Sequence, residues 1–341
     1  MWEEDDDMME ELERMHEEPF YMVRHKALFM PAPLSKGDKI GIVSLSGYEA
    51  EEVMGAMGVI ASHGYVPVLS DTIQNSDIES GVLPRGERIV QLHSMLEDHE
   101  IKAIFCCGDG SGSIEILPNF SYGPIAKNPK WLVGHGDVTA LLSMWVTSDI
   151  ASIHGPMCSE LIGDGPGVKK LFSLLSGKGK LDYMFPVSSA DRKGSASGRL
   201  FGGNLGVLTI LGATSYDLID RYIGHASDDT GAILFFEASG ISLRQVRDML
   251  LRYYLTGALL LAKGLIFGSF KDCKPYGNLK SIQDVVKELE DRWMINPGIP
   301  IVFDFPIGEG TPHMPLIEGA MVELEVTNEL VNLRSLQSKN S

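Results

Sequence analysis

Residues 101–145 read IKAIFCCGDGSGSIEILPNFSYGPIAKNPKWLVGHGDVTALLSMW, and this stretch decides the fold. It holds two apolar runs, IKAIFCC (101–107) and KWLVG (130–134), whose length is typical of buried strands. Each run passes into a turn that contains glycine, and the start of a helix follows, GSIEIL after the first run and VTALLSMW after the second. Strands that alternate with helices in this way predict right-handed crossovers and a mainly parallel sheet.

The same alternation extends upstream. KIGIVSLSG (39–47) predicts the first strand and YVPVL (65–69) the second, while 49–62 and 85–96 carry apolar residues at helical spacing. In sheets of this kind, ligands bind beyond the carboxyl ends of the strands. The loops at those ends are 44–47, 108–113 and 134–137.

The second half of the chain has a different composition. Residues 177–197, GKGKLDYMFPVSSADRKGSAS, are polar and rich in Gly, Ser and Lys, which is typical of a linker. Beyond them, AILFFE (232–237) predicts a strand, 243–255 an amphipathic helix, and MVELEVT (321–327) the last strand. We therefore expect a two-domain α/β protein, with an N-terminal mainly parallel sheet flanked by helices and a C-terminal mixed β-rich α/β domain. The expected segments are an acidic leader and lead-in (1–33), the N-terminal domain with its elbow turn (34–176), the linker (177–197) and the C-terminal domain (198–341).

The charge of the chain argues against several classes of partner. The 341 residues carry a net charge of −17, and residues 1–18, with ten acidic residues and one arginine, account for −9 of it. So acidic a chain does not attract a phosphate backbone, and we expect no nucleic-acid partner. No stretch approaches the ~18 uninterrupted apolar residues of a membrane span, and the leader lacks the features of a signal peptide. We therefore expect a cytoplasmic protein without a membrane partner, and the four cysteines fit a reducing compartment.

The loop GDGSGS (108–113) follows a strand and precedes a helix, a setting in which backbone N–H groups bind phosphate. Its spacing is not GxGxxG and no Walker lysine follows it, so nucleotide or phosphate binding stays an alternative. The nine histidines are scattered, without an HExxH motif or paired CxxC motifs. We expect neither a metal site nor a cofactor.

Seven segments between about residue 34 and residue 326 carry a resemblance to a known family. They are GDKIGIVSLSG, IKAIFCCGDGSGSIEILP, NPKWLVGHGDVTALL, IHGPM, GRLFGGNLGVL, AILFFE and FPIGEG. In this order and spacing the chain resembles the serine peptidases that comprise LD-carboxypeptidases and microcin C self-immunity proteins. The resemblance implies cleavage of the bond between an L- and a D-residue in peptidoglycan stem peptides, or of related amide bonds. It also implies a Ser–His–Glu triad, a homodimer and a ligand cleft between the two domains.

The resemblance maps the triad onto three residues, of which one keeps the family's residue type. Glu237, at the end of AILFFE, matches the triad glutamate, whereas Gly136 stands at the serine position and Glu309 at the histidine position. A serine hydroxyl needs an adjacent base, and the base needs a third group that orients it. We therefore expect an impaired enzyme. We also expect the two carboxylates to share one site, where like charges would raise one pKa.

The glycine-rich loop also departs from the family. An arginine and a tyrosine that line the family's substrate cleft are replaced by Gly108 and Ser111. Backbone donors at Gly110 and Asp137 are still able to form an oxyanion hole. Ser111 and His135 complete the expected binding residues.

The main expectation is therefore an LD-carboxypeptidase homologue that binds a muropeptide or a similar small acyl peptide. Two alternatives stay open. The first is an active hydrolase whose nucleophile or base is relocated to Cys107, Ser111, His135 or His313. Against it, we expect Cys107 to be a buried inert thiol, His135 to be structural and His313 to lie in a surface loop. The second alternative is a nucleotide or phosphate binder that uses the GDGSGS loop.

Overall fold

The computed structural model describes residues 28–336 apart from 46–47, 75–79, 82, 109, 121, 225–230 and 294–297. The acidic leader expected at 1–18 lies outside the described residues. The described strands are β1 (Lys39–Ser44), β2 (Tyr48–Glu49), β3 (Val66–Leu69), β4 (Ser80–Gly81), β5 (Ile101–Cys107), β6 (Trp131–Gly134), β7 (Ile153–His154), β8 (Asp182–Pro186), β9 (Gly194–Asn204), β10 (Ala232–Ser239), β11 (Gly264–Lys271), β12 (Ile301–Val302), β13 (Leu316–Ile317), β14 (Met321–Val326) and β15 (Leu330–Ser335).

The described helices are short. They are α1 (Ala50–Ser62), α2 (Asp71–Gln74), α3 (Arg85–Glu97), α4 (Ser113–Ile116), α5 (Tyr122–Lys127), α6 (Thr139–Thr147), α7 (Cys158–Leu161), α8 (Pro166–Leu175), α9 (Leu205–Leu211), α10 (Leu243–Leu255), α11 (Ala258–Leu261) and α12 (Ile282–Trp293). The longest of these, α1, α3 and α10, have 13 residues each, whereas a bilayer span needs about 20. None of the described helices therefore qualifies as a membrane span.

The first sheet has six strands in the order β13-β7-β6-β5-β1-β3. Every neighbouring pair from β7 to β3 is parallel, and β13 joins the β7 edge in the antiparallel sense. Strands β1, β5 and β6 are apolar and buried along nearly their whole length. A parallel sheet that is covered on both faces requires such strands, because neither face meets water. The mainly parallel sheet expected from the sequence is confirmed.

The second sheet has seven strands in the order β12-β11-β10-β9-β14-β15-β8. The pairs from β12 to β9 are parallel, and those from β9 to β8 are antiparallel. Along β14, buried residues alternate with partly exposed ones, because only one face of this part of the sheet is fully covered. The mixed β-rich character expected for the second half of the chain is confirmed.

Two expectations about this sheet are wrong. Residues 177–197, expected to be a linker, contain β8 and the start of β9. Because β8 lies at the sheet edge and exposes alternate side chains, its composition is polar. MVELEVT is not the last strand, since β15 follows and pairs with β14. The partly exposed Asn332 and exposed Arg334 interrupt the apolar pattern of β15 in the sequence. The domain boundaries themselves stay a prediction.

The two sheets share a core and border a common cleft. One buried apolar cluster contains Val133 and Ile153 of the first sheet together with Phe201 and Phe236 of the second. Helix α6 is buried over all nine of its residues. The residues that follow β5 and β6, and the carboxyl ends of β9 and β10, line one cavity. The fold therefore brings together the strand ends at which a ligand of an α/β sheet is expected.

Two glycines give a matched test of the packing. In β9, an added Cβ at Gly202 would lie 1.9 Å from the backbone oxygen of Phe235, whereas at Gly58 in α1 it would meet nothing within 4 Å. We expect Gly202→Ala to lower the free energy of unfolding by roughly 3 kcal/mol or more, because the backbone of β10 has to move. Gly58→Ala should raise it by about 0.5–1 kcal/mol, since alanine favours the helix. Urea unfolding measures both, and equal effects would contradict the tight β9–β10 contact.

Candidate active site

An elbow turn joins β6 to α6 and forms one wall of the cleft. Gly136 lies in this turn with φ +59°, in the left-handed region, and begins a short 3₁₀ turn, Gly136–Val138. A Cβ added to Gly136 would meet nothing within 4 Å. A side chain at this position would therefore project into open space, although its backbone would be strained.

The glycine-rich loop is fastened to this elbow by Asp137. One carboxylate oxygen of Asp137 accepts the N–H of Gly112 at 3.3 Å, and the other accepts the N–H of Ser113 at 2.8 Å. The Asp137 carboxylate therefore binds the backbone N–H groups at the start of α4. The loop adopts conformations that favour glycine, with φ +82° at Gly108, +143° at Gly110 and +130° at Gly112.

The side chain of a buried arginine packs against the same loop. Arg88 of α3 is 4% exposed, and its guanidinium donates to Leu45 O at 3.0 Å and to Glu115 Oε2 at 2.8 Å. A Cβ at Gly112 would lie 2.2 Å from Arg88 Nη1, so the loop packs directly on the guanidinium. No motif in the sequence indicates this role of Arg88. The sequence signal for Arg88 is its position next to the apolar face of the amphipathic helix predicted at 85–96.

The opposite wall carries Glu237 and Glu309. Glu237 is 2% exposed and lies near the end of β10, where the pairing with β11 shifts register. Gly308 has φ +88°, and its Cβ would lie 2.9 Å from Cβ of Glu237, so glycine allows the next loop to approach that strand. Glu309 on this loop is half-exposed and its Oε1 lies 2.5 Å from Lys271 Nζ.

The two carboxylates do not behave as a repelling pair. Burial alone would raise the pKa of Glu237, but the neighbouring His154, whose Nε2 lies 3.9 Å from Glu237 Oε1, outweighs it and lowers the pKa. Contact with Lys271 lowers the pKa of Glu309. The expectation that one of these two pKa values is raised is therefore wrong, because an imidazole lies beside Glu237 and an ammonium group beside Glu309.

A buried histidine cluster lies beside the elbow. His135 Nε2 lies 2.9 Å from Glu160 Oε2, and His313 Nδ1 lies 3.7 Å from Glu160 Oε1. On its other side, His313 Nε2 is 3.3 Å from His154 Nδ1, which places His154 between His313 and Glu237. One ligand atom from each of His135, Glu160 and His313 lies within 4.8 Å of the others. This set is chemically able to hold a metal ion, although no metal site was expected from the sequence.

Burial and neighbouring groups shift the pKa values of two of these histidines and of Glu160. Burial lowers the pKa of His154 and lowers that of His313 to about 3. Burial opposes ionisation of Glu160, but contacts with His135 and His313 outweigh it and lower the pKa of Glu160 well below its usual range. Burial therefore disfavours the charged forms of His154 and His313, whereas the imidazole contacts favour the ionised form of Glu160.

The cleft between these walls has a volume of about 580 Å³. Its lining includes all the residues that the sequence predicts for the catalytic and binding positions: Gly110, Ser111, His135, Gly136, Asp137, Glu237 and Glu309.

Two family models match the chain, the N-terminal domain of LD-carboxypeptidase over residues 40–155 and its C-terminal domain over residues 197–324. The chain belongs to the LD-carboxypeptidase family.

Relatives and solved structures agree with this membership in the LD-carboxypeptidase family. A putative carboxypeptidase of Synechocystis is 30% identical over 304 residues, which cover 88% of this chain and 95% of the relative. The microcin C7 self-immunity protein in complex with aspartyl sulfamoyl adenosine has a TM-score of 0.75 at 21% identity, covering 92% of this chain and 100% of that one. The muramoyltetrapeptide carboxypeptidase from Oxalobacter formigenes has a TM-score of 0.71 at 23% identity, covering 88% and 99%. These two structures share the fold with this chain.

The candidates for a relocated nucleophile in this LD-carboxypeptidase family member have different surroundings. Cys107 is fully buried, 3.0 Å from the Cys158 sulfur, and burial raises its pKa, so the expected burial is confirmed and the inertness of the thiol stays a prediction. Ser111 is exposed in the cleft. His135 Nε2 contacts Glu160, and the structural role expected for His135 stays a prediction.

The expectation of a surface position for His313 is wrong, because its side chain is fully buried. The loop that carries it passes close to α8. A Cβ at Gly167 would lie 2.1 Å from Pro312 O and 2.4 Å from His313 O. Only a glycine in α8 allows this approach, and the sequence around His313 does not show it.

We expect Asp137→Ala to lower the free energy of unfolding by about 1–2 kcal/mol, because the buried N–H groups of Gly112 and Ser113 lose their acceptor. Asp137→Asn keeps one acceptor oxygen and should lose less. Urea unfolding measures the change, and amide hydrogen exchange at residues 112 and 113 should speed up in the alanine variant. Unchanged exchange there would contradict the fastening of the loop by Asp137.

Proposed function

We propose that this member of the LD-carboxypeptidase family binds a muropeptide or a similar small acyl peptide in the cleft without hydrolysing it. The observation that carries the proposal is the elbow, where Gly136 leaves open space at the position that matches the family's serine. The loop position that matches the histidine holds Glu309, whose carboxylate contacts Lys271. The serine nucleophile and the histidine base are then both absent from the positions where the family chemistry needs them.

The remaining groups of the cleft suit a peptide ligand. Backbone N–H groups at Gly110 and Asp137 are donors for a peptide carbonyl, while Glu237 and Glu309 supply negative charge. The family's cleft arginine is replaced by Gly108. The cleft therefore favours a ligand that presents amide groups and an ammonium group over one that depends on a charged carboxylate contact. Among structures of the same fold, the microcin C7 self-immunity protein is in complex with aspartyl sulfamoyl adenosine.

The proposal also includes a homodimer located in the cytoplasm, as the family resemblance and the cysteine usage suggest. The net charge of −17 supports a small-molecule or protein partner over nucleic acid. Light scattering of the purified chain tests the oligomeric state, with twice the chain mass as the expected result and the mass of a single chain as the contrary one.

Binding is tested by calorimetric titration with an LD-tetrapeptide. Ile210 lines the cleft and is 65% exposed, so Ile210→Asp should change the cleft wall without disturbing the core. Met184 is 64% exposed on β8, outside the cleft lining, and Met184→Asp is the matched control. We expect Ile210→Asp to weaken binding about tenfold or more and Met184→Asp to leave it unchanged. Equal affinity of both variants, or no binding by the unaltered chain, would contradict the proposal.

A further inference from the structure

We propose that His135, Glu160 and His313 form a binding site for a divalent transition-metal ion beside the cleft. Residues that lie far apart in the sequence bring two imidazole nitrogens and one carboxylate oxygen within 4.8 Å of one another. His135 follows β6, Glu160 lies in α7, and His313 belongs to the loop before β13. The site goes beyond the proposed peptide binding, because Glu160 and His313 take no part in that proposal.

The donor set indicates the class of metal. Two imidazoles and one carboxylate are the ligands of catalytic zinc sites and of non-haem iron(II) sites, whereas magnesium and calcium prefer oxygen alone. In both zinc and iron sites, at least one coordination position is left for water or for a ligand. His135 also lines the cleft, so the cleft provides a path by which an ion and its remaining ligands enter.

The surroundings orient the donor atoms as a metal site requires. His313 Nε2 lies 3.3 Å from His154 Nδ1, so this contact occupies one ring nitrogen of His313 and leaves Nδ1 directed towards Glu160. His313 Nδ1 is buried and makes no hydrogen bond to any described residue. Glu160 is held as well, since its Oε2 accepts the N–H of Met157 at 2.9 Å. The second ring nitrogen of a metal-bound histidine characteristically contacts a neighbouring group, as Nε2 of His313 contacts His154 here.

The charge of the cluster also favours a cation. Glu160 and the neighbouring Glu237 are largely buried, with side-chain exposures of 25% and 2%. Within the part of the chain that the structure describes, the ion-pair contacts of both carboxylates are with histidines and with no lysine or arginine. Buried carboxylates need a positive partner, and a divalent ion between the three ligands supplies it.

The test starts from full-length protein that has been stripped with a chelator and then titrated with Zn²⁺ by calorimetry. We expect one ion per chain and a rise in melting temperature, because the ion binds the folded state. Glu160→Gln and His135→Gln should weaken binding by more than the roughly 10–100-fold that loss of an outer contact costs. His99 is exposed, and His99→Gln is the matched control with unchanged affinity.

A second measurement needs no variant. Co²⁺ added to the stripped protein should give the weak visible bands of nitrogen and oxygen ligation, without the intense thiolate band that Cys107 and Cys158 would produce. Absence of Zn²⁺ and Co²⁺ binding, a thiolate band, or unchanged affinity in both glutamine variants would overturn the proposal. Peptide titration of the stripped protein distinguishes the two proposals, since peptide binding without metal binding leaves the proposed function standing.

Discussion

Incubation of the purified protein with an LD-tetrapeptide is expected to release no measurable terminal D-alanine. Loss of the nucleophile and of the base lowers the rate of a serine hydrolase on the order of a millionfold. In this chain, Gly136 and Glu309 occupy the two matching positions. The backbone N–H donors of the cleft do not restore activity, because without a nucleophile no oxyanion forms for them to stabilise.

Variants that restore the family's serine and histidine test this prediction further. Gly136→Ser alone should do little, because an unassisted hydroxyl is a weak nucleophile at neutral pH. Gly136→Ser combined with Glu309→His should release D-alanine slowly but measurably, with Glu237 orienting the new imidazole. The open space at Gly136 and the half-exposed position of Glu309 make both changes tolerable, although a serine at φ +59° costs about 1–2 kcal/mol.

The matched control is Gly136→Ser with Glu309→Gln, which removes the same charge from Glu309 without supplying a base. This variant should stay inactive. Chromatographic detection of D-alanine decides among the variants. Turnover near one per second by the unaltered chain, abolished by Ser111→Ala or His135→Gln, would overturn the prediction and identify a relocated group.

Glu318→Met is expected to stabilise the protein by about 3 kcal/mol at pH 7. Glu318 follows β13, is fully buried, and donates its backbone N–H to Ser152 O at 3.0 Å. Burial raises the pKa of Glu318 from 4.5 to about 8, and the backbone of Gly202 offsets this only in part. Between about pH 4.5 and pH 8, the folded chain therefore keeps a proton that the unfolded chain has already released.

The stability contributed by Glu318 is complete below pH 4.5 and falls as the pH rises towards 8, because the unfolded state binds fewer protons over that range. From pH 4.5 to pH 7 the loss amounts to about 3 kcal/mol at 1.36 kcal/mol per pH unit. Methionine has a similar volume and no proton to release, so its advantage should shrink as the pH falls to 4.5. Urea unfolding at pH 5, 6, 7 and 8 measures this slope.

Two further variants make the test of Glu318 specific. Glu318→Gln should lose the same pH dependence while staying less stable than Glu318→Met, because its amide is buried. Glu329 is exposed, and Glu329→Met should change stability by less than about 0.5 kcal/mol at any of these pH values. A less stable Glu318→Met variant at pH 7 would show that the carboxyl group makes a stabilising contact.

The strands and helices with strong patterns could be predicted from the sequence. The apolar runs of β1, β5, β6 and β10 correspond to strands, and the amphipathic pattern of α10 gave both of its ends. These elements are buried, so tertiary packing and local pattern agree. Strands β8 and β15 were missed because their polar residues occupy exposed positions.

The candidate site, too, could be predicted only in part from the sequence. Motif order placed Gly136, Glu237 and Glu309 in neighbouring segments of the fold, and all three line one cleft. The partners of Glu237 and Glu309 could not be predicted, because His154 and Lys271 reach the site from other elements. Cross-strand and loop contacts of this kind depend on where the chain folds back, as the buried position of His313 illustrates.

The antiparallel strand β13 has a consequence for how the chain acquires its structure during synthesis. Residues 316–317 pair with residues 153–154, so the edge of the first sheet is completed by a segment that is synthesised about 160 residues after β7. Contacts between such distant segments raise the contact order and slow folding. Until they form, the nascent β7 edge has unpaired N–H and C=O groups that invite pairing with other chains. A fragment that ends at residue 176 should therefore aggregate where the full chain does not.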